Sequence, residues 1–342
     1  LYSNACGKLN FDPESPDFTT DSVCRIASMS KLVTAISAMQ LVEKKLIGLD
    51  EDVAKYVPEL ANKDILKGFE DDSTPILARQ TKQMSLRCVS STGLNLCCTL
   101  TPHRTLLTHS SGFAYDNFDP NILKWSASVG RTVDSGSMTK EGYTFPLIFE
   151  PGEGWMYGVG LDWAGHVVSV LSHCTLDEYI QKNICQVLGM SSTTFAISER
   201  PDLASRRARL AFRAAPRGPL APDENPMPEP PAMYSGGAGL FSTVKDYTKL
   251  LSVLMEEDGS ILTKESIREL FKPQFDAQMA QQLQFFFDGA LHEVACPEYP
   301  RGTPVNHALG GAVNLEDIPG TRRKGSMMWS GSTNGHWVSL PS

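Results

Sequence analysis

Ser28 and Lys31 stand three positions apart in Arg25-Ile26-Ala27-Ser28-Met29-Ser30-Lys31, which opens a segment that reads as a helix to about Lys45. Positions three apart share a helix face, and the first turn carries the positive end of the helix dipole. A serine hydroxyl is a weak nucleophile at neutral pH, and a desolvated lysine within hydrogen-bond reach can activate it. The helix that must carry the pair is apolar on more than one side. Leu32, Ile36 and Met39 form one stripe, and Ala35 and Ala38 continue the stripe of Ser28 and Lys31. Such a helix is buried, so its lysine has to be partnered inside the fold. A competing reading of the same residues makes Ser28 a helix N-cap and lets Lys31 extend to water.

The chain around this pair is long enough for one large domain: 342 residues, 41% hydrophobic and 20% charged, an ordinary globular composition. Its net charge of −8 argues against nucleic acid or an anionic membrane surface as the main partner. No apolar run approaches the roughly 20 residues that span a bilayer, and no secretory core is visible at the N-terminus, although the first residue is Leu1 and not Met. The eight cysteines are scattered and form no C-x-x-C pair, which reads as reduced thiols in a cytoplasmic protein without a zinc site. His292-Glu293 lacks the second histidine of H-E-x-x-H, so no metal is expected there. Tyr234 to Thr243 is glycine-rich but lacks the G-x-G-x-x-G arrangement. No cofactor is expected.

Leu1 to Leu9 alternates loosely and reads as a strand, followed by a loop from Asn10 to Asp21. Residues 63–81 read as a surface loop with a short strand at Pro75-Ile76-Leu77. Cys88 to Arg104 holds three of the eight cysteines and follows neither a two-residue nor a 3.6-residue period. Deleting it joins Ser85-Leu86-Arg87 to Thr105-Leu106-Leu107 as a natural short helix and turn. Its 17 residues correspond to 51 nucleotides, the expectation being an insertion or retained intron. Further on, helices are predicted from Leu161 to Leu171, from Leu176 to Val187 with a stop at Leu188-Gly189-Met190, through Tyr247 to Leu254 behind a Ser242 or Thr243 cap, and from Lys264 to Phe271. Arg200 to Ala232 reads as a solvated loop with a strand near Leu210-Ala211-Phe212. Ala308 to Leu315 and Lys324 to Trp329, joined through Pro319-Gly320, read as a β-hairpin.

Three motifs in this order resemble the serine β-lactamase-related family with its penicillin-binding-protein fold, and in particular a fungal class C-like esterase and transesterase branch. They are Ser28-Met29-Ser30-Lys31, Tyr157 in the aromatic, glycine-rich turn Gly152 to Gly160, and Trp329-Ser330-Gly331 where β-lactamases carry K-T-G. Leu106 to Gly112, Glu150-Pro151-Gly152 and Gly236 to Leu240 match the family's wording as well. The resemblance implies that Ser28 attacks an ester or amide carbonyl, that Lys31 and Tyr157 share the proton traffic, and that the backbone N–H groups of Ser28 and Ser332 form an oxyanion hole. Trp329, Ser330, Gly331 and Ser332 would line the substrate, with Gly331 allowing close approach. Two departures, Val159 in a place often held by Asn or Ser and Trp329 in place of a lysine, favour neutral or hydrophobic acyl groups over penicillins. His109, without a G-x-S-x-G elbow, reads as structural.

The expected fold is α/β: an antiparallel sheet flanked by helices, formed by about residues 1–46 and 232–337 of a single domain spanning 1–337, with a mostly helical part at 47–231. The expected function is serine-dependent acyl transfer on a small-molecule ester or acyl thioester, with no nucleic-acid or membrane partner. Two alternatives are a β-lactamase or D-Ala-D-Ala peptidase, and an inert fragment, because family members carry more structure before Leu1 and further strands after the third motif.

Overall fold

The computed structural model describes residues 2–87, 105–215, 218–223 and 227–340. The Cys88–Arg104 segment lies outside the described residues. The strands are β1 Cys24–Arg25, β2 Asp64–Phe69, β3 Pro75–Arg79, β4 Ala211–Arg213, β5 Leu220–Pro222, β6 Phe241–Ser242, β7 Val305–His307, β8 Ala312–Asn314, β9 Met327–Gly331 and β10 Gly335–Ser339. The helices are α1 Ser30–Glu43, α2 Pro120–Ser128, α3 Gly160–Ser172, α4 Leu176–Ile180, α5 Gln186–Leu188, α6 Pro201–Ala204, α7 Val244–Glu256, α8 Lys264–Phe271, α9 Ala277–Asp288 and α10 His292–Ala295.

The largest sheet is antiparallel and four-stranded, in the order β10-β9-β8-β7. Its middle is the expected hairpin, with Ala312 opposite Met328 and Val313 opposite Met327. A strand beyond the third motif is present after all: β10 turns back through Asn334 (φ 62°) and pairs Trp337 with Trp329. The short pair β1-β6 lies beside it, with Arg25 opposite Phe241. Helix α7 packs on β10, α9 on β7 and α10 on β9. One continuous apolar core, running in sequence from Ile26 to Trp337, joins sheet and helices.

Helix α1 is the axis of that core. Twelve of its fourteen residues, Ser30 to Leu41, are buried, as expected of a helix apolar on every side. It starts later than the sequence suggests, because Cys24–Arg25 is a strand and Ala27–Met29 a 3-10 turn. It ends with Lys45 in the left-handed region (φ 57°), where Leu46 N–H reaches Leu41 O and Lys45 N–H reaches Val42 O. This double bond pattern closes a helix C-terminus.

Several local signals act where they stand. Thr243 caps α7 by accepting from Asp246 N, and Thr263 caps α8 by accepting from Ser266 N. The Leu176–Val187 helix runs as α4, a five-residue π segment and α5, and Gly189 (φ 64°) stops it. The N-terminal strand is not formed. Among residues 2–9 only Leu9 is buried, and the one β-bridge described there joins Lys8 to Asp17. The loose alternation has no strand to pair with. Asp64–Phe69 forms β2 against β3, where a loop was expected.

The described residues on either side of 88–104 are hydrogen-bonded to each other. Thr105 N–H and Leu106 N–H both donate to Ser85 O, at 2.8 and 3.0 Å, and Leu107 N–H donates to Leu86 O at 3.1 Å. With Thr105 counted directly after Arg87, the Leu106 and Leu107 bonds are those of an α-helical turn, each joining an N–H to the carbonyl four residues earlier.

Candidate active site

Ser28 sits in the 3-10 turn between β1 and α1, behind Ala27 held at φ 45°. A non-glycine residue in the left-handed region is uncommon and marks a conformation that its surroundings impose. The surroundings are visible. Ser30 Oγ donates to Ala27 O at 2.6 Å and accepts from Leu240 N at 3.0 Å. Thr333 Oγ donates to Arg25 O at 2.9 Å. On the other side, a Cβ on Gly331 would lie 2.4 Å from Ile26 O, so β9 can lie against this turn only with glycine there. No side chain caps the turn or α1, and Lys31 is 4% exposed. The N-cap and snorkelling readings of the pair therefore fall.

Tyr157 OH is 2.5 Å from Ser28 Oγ, and Lys31 Nζ is 3.1 Å from it. Lys31 Nζ also lies 4.7 Å from the centre of the Tyr157 ring. The three residues are thus one hydrogen-bonded group, although Tyr157 is 129 positions from Ser28. His109 supports the tyrosine loop from both sides: its carbonyl accepts from Met156 N at 3.0 Å and its Nδ1 from Gly158 N at 3.3 Å. Its ring packs 4.8 Å from that of Tyr157. Burial first, and then the Lys31 charge and His307, hold the His109 imidazole well below its ordinary pKa, so it is neutral. This matches its structural reading.

A half-buried tyrosine and a buried aspartate that the sequence did not single out complete the cluster. Tyr115 OH is 3.2 Å from Lys31 Nζ and 3.4 Å from Asp162 Oδ2. Burial, and then the Asp162 charge, push the Tyr115 phenol well above its usual range. Asp162 lies in the first turn of α3 and is 1% exposed. Burial raises its carboxyl, while Lys31, Ser235 and the Gly237 amide pull it back. Gly237 O accepts from Lys31 Nζ at 2.7 Å. One clue to Asp162 was available, an acid amid the apolar positions of a predicted helix. Nothing local marks Tyr115, which is 84 positions from its lysine.

These groups open on a cavity of about 360 Å³, at the lower end of the usual range for small-molecule sites. Its wall is largely apolar, with Phe118, Met138, Phe286, Leu291, Met328 and Trp329 prominent. Ser330, Gly331 and Ser332 line it too, so all seven expected site residues except the enclosed Lys31 face this space. Trp329 is wedged between rings, 5.7 Å from Tyr157 and 5.4 Å from His307. Val159 is fully buried and lines no part of the wall. Helices α9 and α10, which supply Phe286, Phe287, Val294 and Ala295 with Leu291 between them, went unread in the sequence. Arg25 lies at the junction with an adjoining polar cavity that Arg207, Arg209, Asp12 and Asp223 also line. Its guanidinium makes no hydrogen bond or ion pair among the described residues, and its Nε is buried without a partner. No cluster of three or more potential metal ligands occurs among the described residues.

Comparison with known proteins agrees with this geometry. A family model described as Beta-lactamase matches residues 2–89 and 101–338. The "Lovastatin esterase" of Penicillium rubens is 33% identical over 360 residues, covering 98% of this chain and 81% of that protein. The "Monacolin J acid methylbutanoyltransferase" of Aspergillus terreus is 31% identical over 325 residues, covering 94% and 75%. The solved structure of a simvastatin synthase (LovD) variant from Aspergillus terreus superposes with a TM-score of 0.85 at 32% identity, covering 98% of this chain and 76% of that one.

Proposed function

The chain belongs to the β-lactamase family, and we propose that it is a serine acyltransferase or esterase that works through an acyl-enzyme on Ser28. One observation carries this reading: Ser28 Oγ lies 2.5 Å from the Tyr157 hydroxyl and 3.1 Å from Lys31 Nζ at the wall of an apolar cavity. Ser28 Oγ attacks the carbonyl of an ester or thioester, with Lys31 and Tyr157 handling its proton. The N–H groups of Ser28 and Ser332 hold the developing oxyanion, a role in which one donor is typically worth about 10²–10³ in turnover. Water or an alcohol then takes the acyl group.

The substrate reading follows from the wall. Trp329, Phe286 and the methionines favour an apolar acyl group. With Trp329 where a lysine would stand, the third motif offers no cation to the carboxylate of a penicillin. The unpaired guanidinium of Arg25 is different. A partly buried charge without a partner is costly, and Arg25 meets the cavity three residues before Ser28. We assign it to the carboxylate of the alcohol partner, in keeping with relatives named for an acid acceptor.

A fluorophosphonate probe together with two chromogenic substrates tests this. The probe is expected to label the wild type and not Ser28→Ala, and the wild type to hydrolyse an apolar p-nitrophenyl ester but not nitrocefin. Soluble, folded wild type that neither reacts with the probe nor cleaves the ester would refute the proposal. Cleavage of nitrocefin would transfer it to the β-lactamase reading.

A further inference from the structure

The chain leaves the core after Phe113 and returns to it at Phe145, where the two rings meet edge to face with centroids 5.8 Å apart. Between them it makes an outward loop with α2 in the middle. The outgoing limb gives Asn117 and Phe118 to the cavity wall, and the returning limb gives Gly136, Met138 and Tyr143. Both limbs are irregular, with one 3-10 turn each at Asp116–Phe118 and Ser135–Ser137. Their inner ends are pinned, by Tyr115 N–H to Tyr157 O at 3.1 Å and by Trp163 Nε1–H to Tyr143 O at 3.1 Å.

Beyond those pins one side chain joins the limbs. Arg131, just past α2, donates from Nη1 to Asp116 Oδ2 at 2.5 Å and from Nη2 to Gly142 O at 2.6 Å. A guanidinium is a rigid fork, so the two bonds set how far apart the limbs stand. Ser126 Oγ also accepts from Nη1 at 3.1 Å, and the Phe145 ring centre lies 5.2 Å from the guanidinium carbon. Gly142 has to be glycine, because a Cβ there would strike Ser137 Oγ and Asp134 O.

The pair is a poor stabiliser. Its side chains are only 8% and 6% exposed, yet Asp116 Oδ1 and Arg131 Nε are buried without a hydrogen-bond partner. Two buried charges with bonding capacity unmet recover little of their desolvation, and apolar residues of similar volume often serve stability as well. Apolar residues could not hold Gly142 O. What the pair supplies is spacing, and Phe118 makes that spacing matter: its ring packs 5.6 Å from the ring of Tyr157, whose hydroxyl touches Ser28.

We infer that Arg131, acting through Asp116 and Gly142, is a positioning residue that fixes the width of the cavity on this side and thereby the length of acyl chain the site holds. The inference rests on the acyl-transfer reading above. A short acyl group on Ser28 meets the groups around the ester carbonyl, whereas a longer chain draws its binding from the apolar wall. A slack wall withdraws contact from the longer chain.

The test compares kcat and KM for p-nitrophenyl acetate and p-nitrophenyl octanoate in the wild type, in Arg131→Lys and in the double variant Asp116→Leu with Arg131→Met, each assayed well below its own Tm. Lysine keeps the charge beside Asp116 and loses the fork, while the double variant removes both charges and keeps apolar bulk. The octanoate-to-acetate ratio of kcat/KM should fall about fourfold or more in the double variant, roughly the worth of one buried methylene. The change should lie in the octanoate KM, and Arg131→Lys should show a smaller fall. An unmoved ratio in both folded variants, even with a common fall in kcat, would leave the pair merely structural and overturn the inference, as would failure of both variants to fold. A wild type with no Ser28-dependent cleavage of either ester would instead defeat the parent reading, so the two failures are distinguishable.

Discussion

Arg25 shows how much one side chain can decide about a substrate. It stands in β1 opposite Phe241 and lines both cavities. Burial and the neighbouring Arg207 lower its pKa, while Asp223 and Glu229 act in the other direction. A carboxylate entering beside Ser28 would supply the missing partner, with the geometry of a bidentate pair available to it. Replacing Arg25 with Gln should therefore raise KM for a carboxylate-bearing acyl acceptor by about tenfold or more, the fold-change of roughly 1.4 kcal/mol. Hydrolysis of a small neutral p-nitrophenyl ester should stay within about threefold of wild type. Steady-state kinetics with the two substrates side by side checks this; equal losses on both would mean that Arg25 only supports the Ser28 turn.

At the scale of elements, the helical turn formed by Ser85, Leu86, Leu106 and Leu107 carries a prediction. Leu86, Leu106 and Leu107 are all buried in the main core, and Arg87 ties the same place to Asp50 and Glu269. The bonds across the join already have helical spacing once residues 88–104 are left out of the count. The family match also skips residues 90–100. A chain in which Arg87 is followed directly by Thr105 should fold with a Tm within a few degrees of the full chain and keep its Ser28 labelling. Loss of soluble, cooperatively melting protein on that deletion would show that the segment belongs to the fold. The members of the site come from α1, α3, the β9 strand end and two loops, and α1 packs directly on α3.

The molecule as a whole has an acid-side weakness. His109 and His307 lie in one core, 5.7 Å apart. Both are buried and neutral, and burial lowers His307 to about 4. An unfolded histidine titrates near 6.5. Between roughly 6.5 and 4 the unfolded chain therefore binds protons that the native state refuses, and stability falls as pH drops through that window. Tm should decline from pH 7 to pH 4.5, and His307→Leu should flatten this decline while leaving the neutral-pH Tm less affected. A variant with the full acid slope would rule His307 out as a contributor.

Ser28 and Lys31 were legible because three-residue spacing on a buried helix is a local fact. Tyr157 and the Trp329–Ser332 stretch were legible only through a family resemblance, since no spacing along the chain relates them to Ser28. Periodicity placed α7, α8 and the β8–β9 hairpin, whose one-sided patterns follow from packing against a single core. It could not place α9 or α10, whose faces are shared between core and cavity, nor β10, and it could not show that residues 2–9 form no strand. What only the tertiary structure decided is the set of groups around Lys31 Nζ, namely Tyr115, the Gly237 carbonyl and Asp162 behind them, and Arg25 at the rim without a hydrogen-bond partner for its Nε. Hydrogen bonds act over about 3 Å of space whatever the separation in sequence. A chain can name its nucleophile in four letters, but the groups that tune it are chosen by folding.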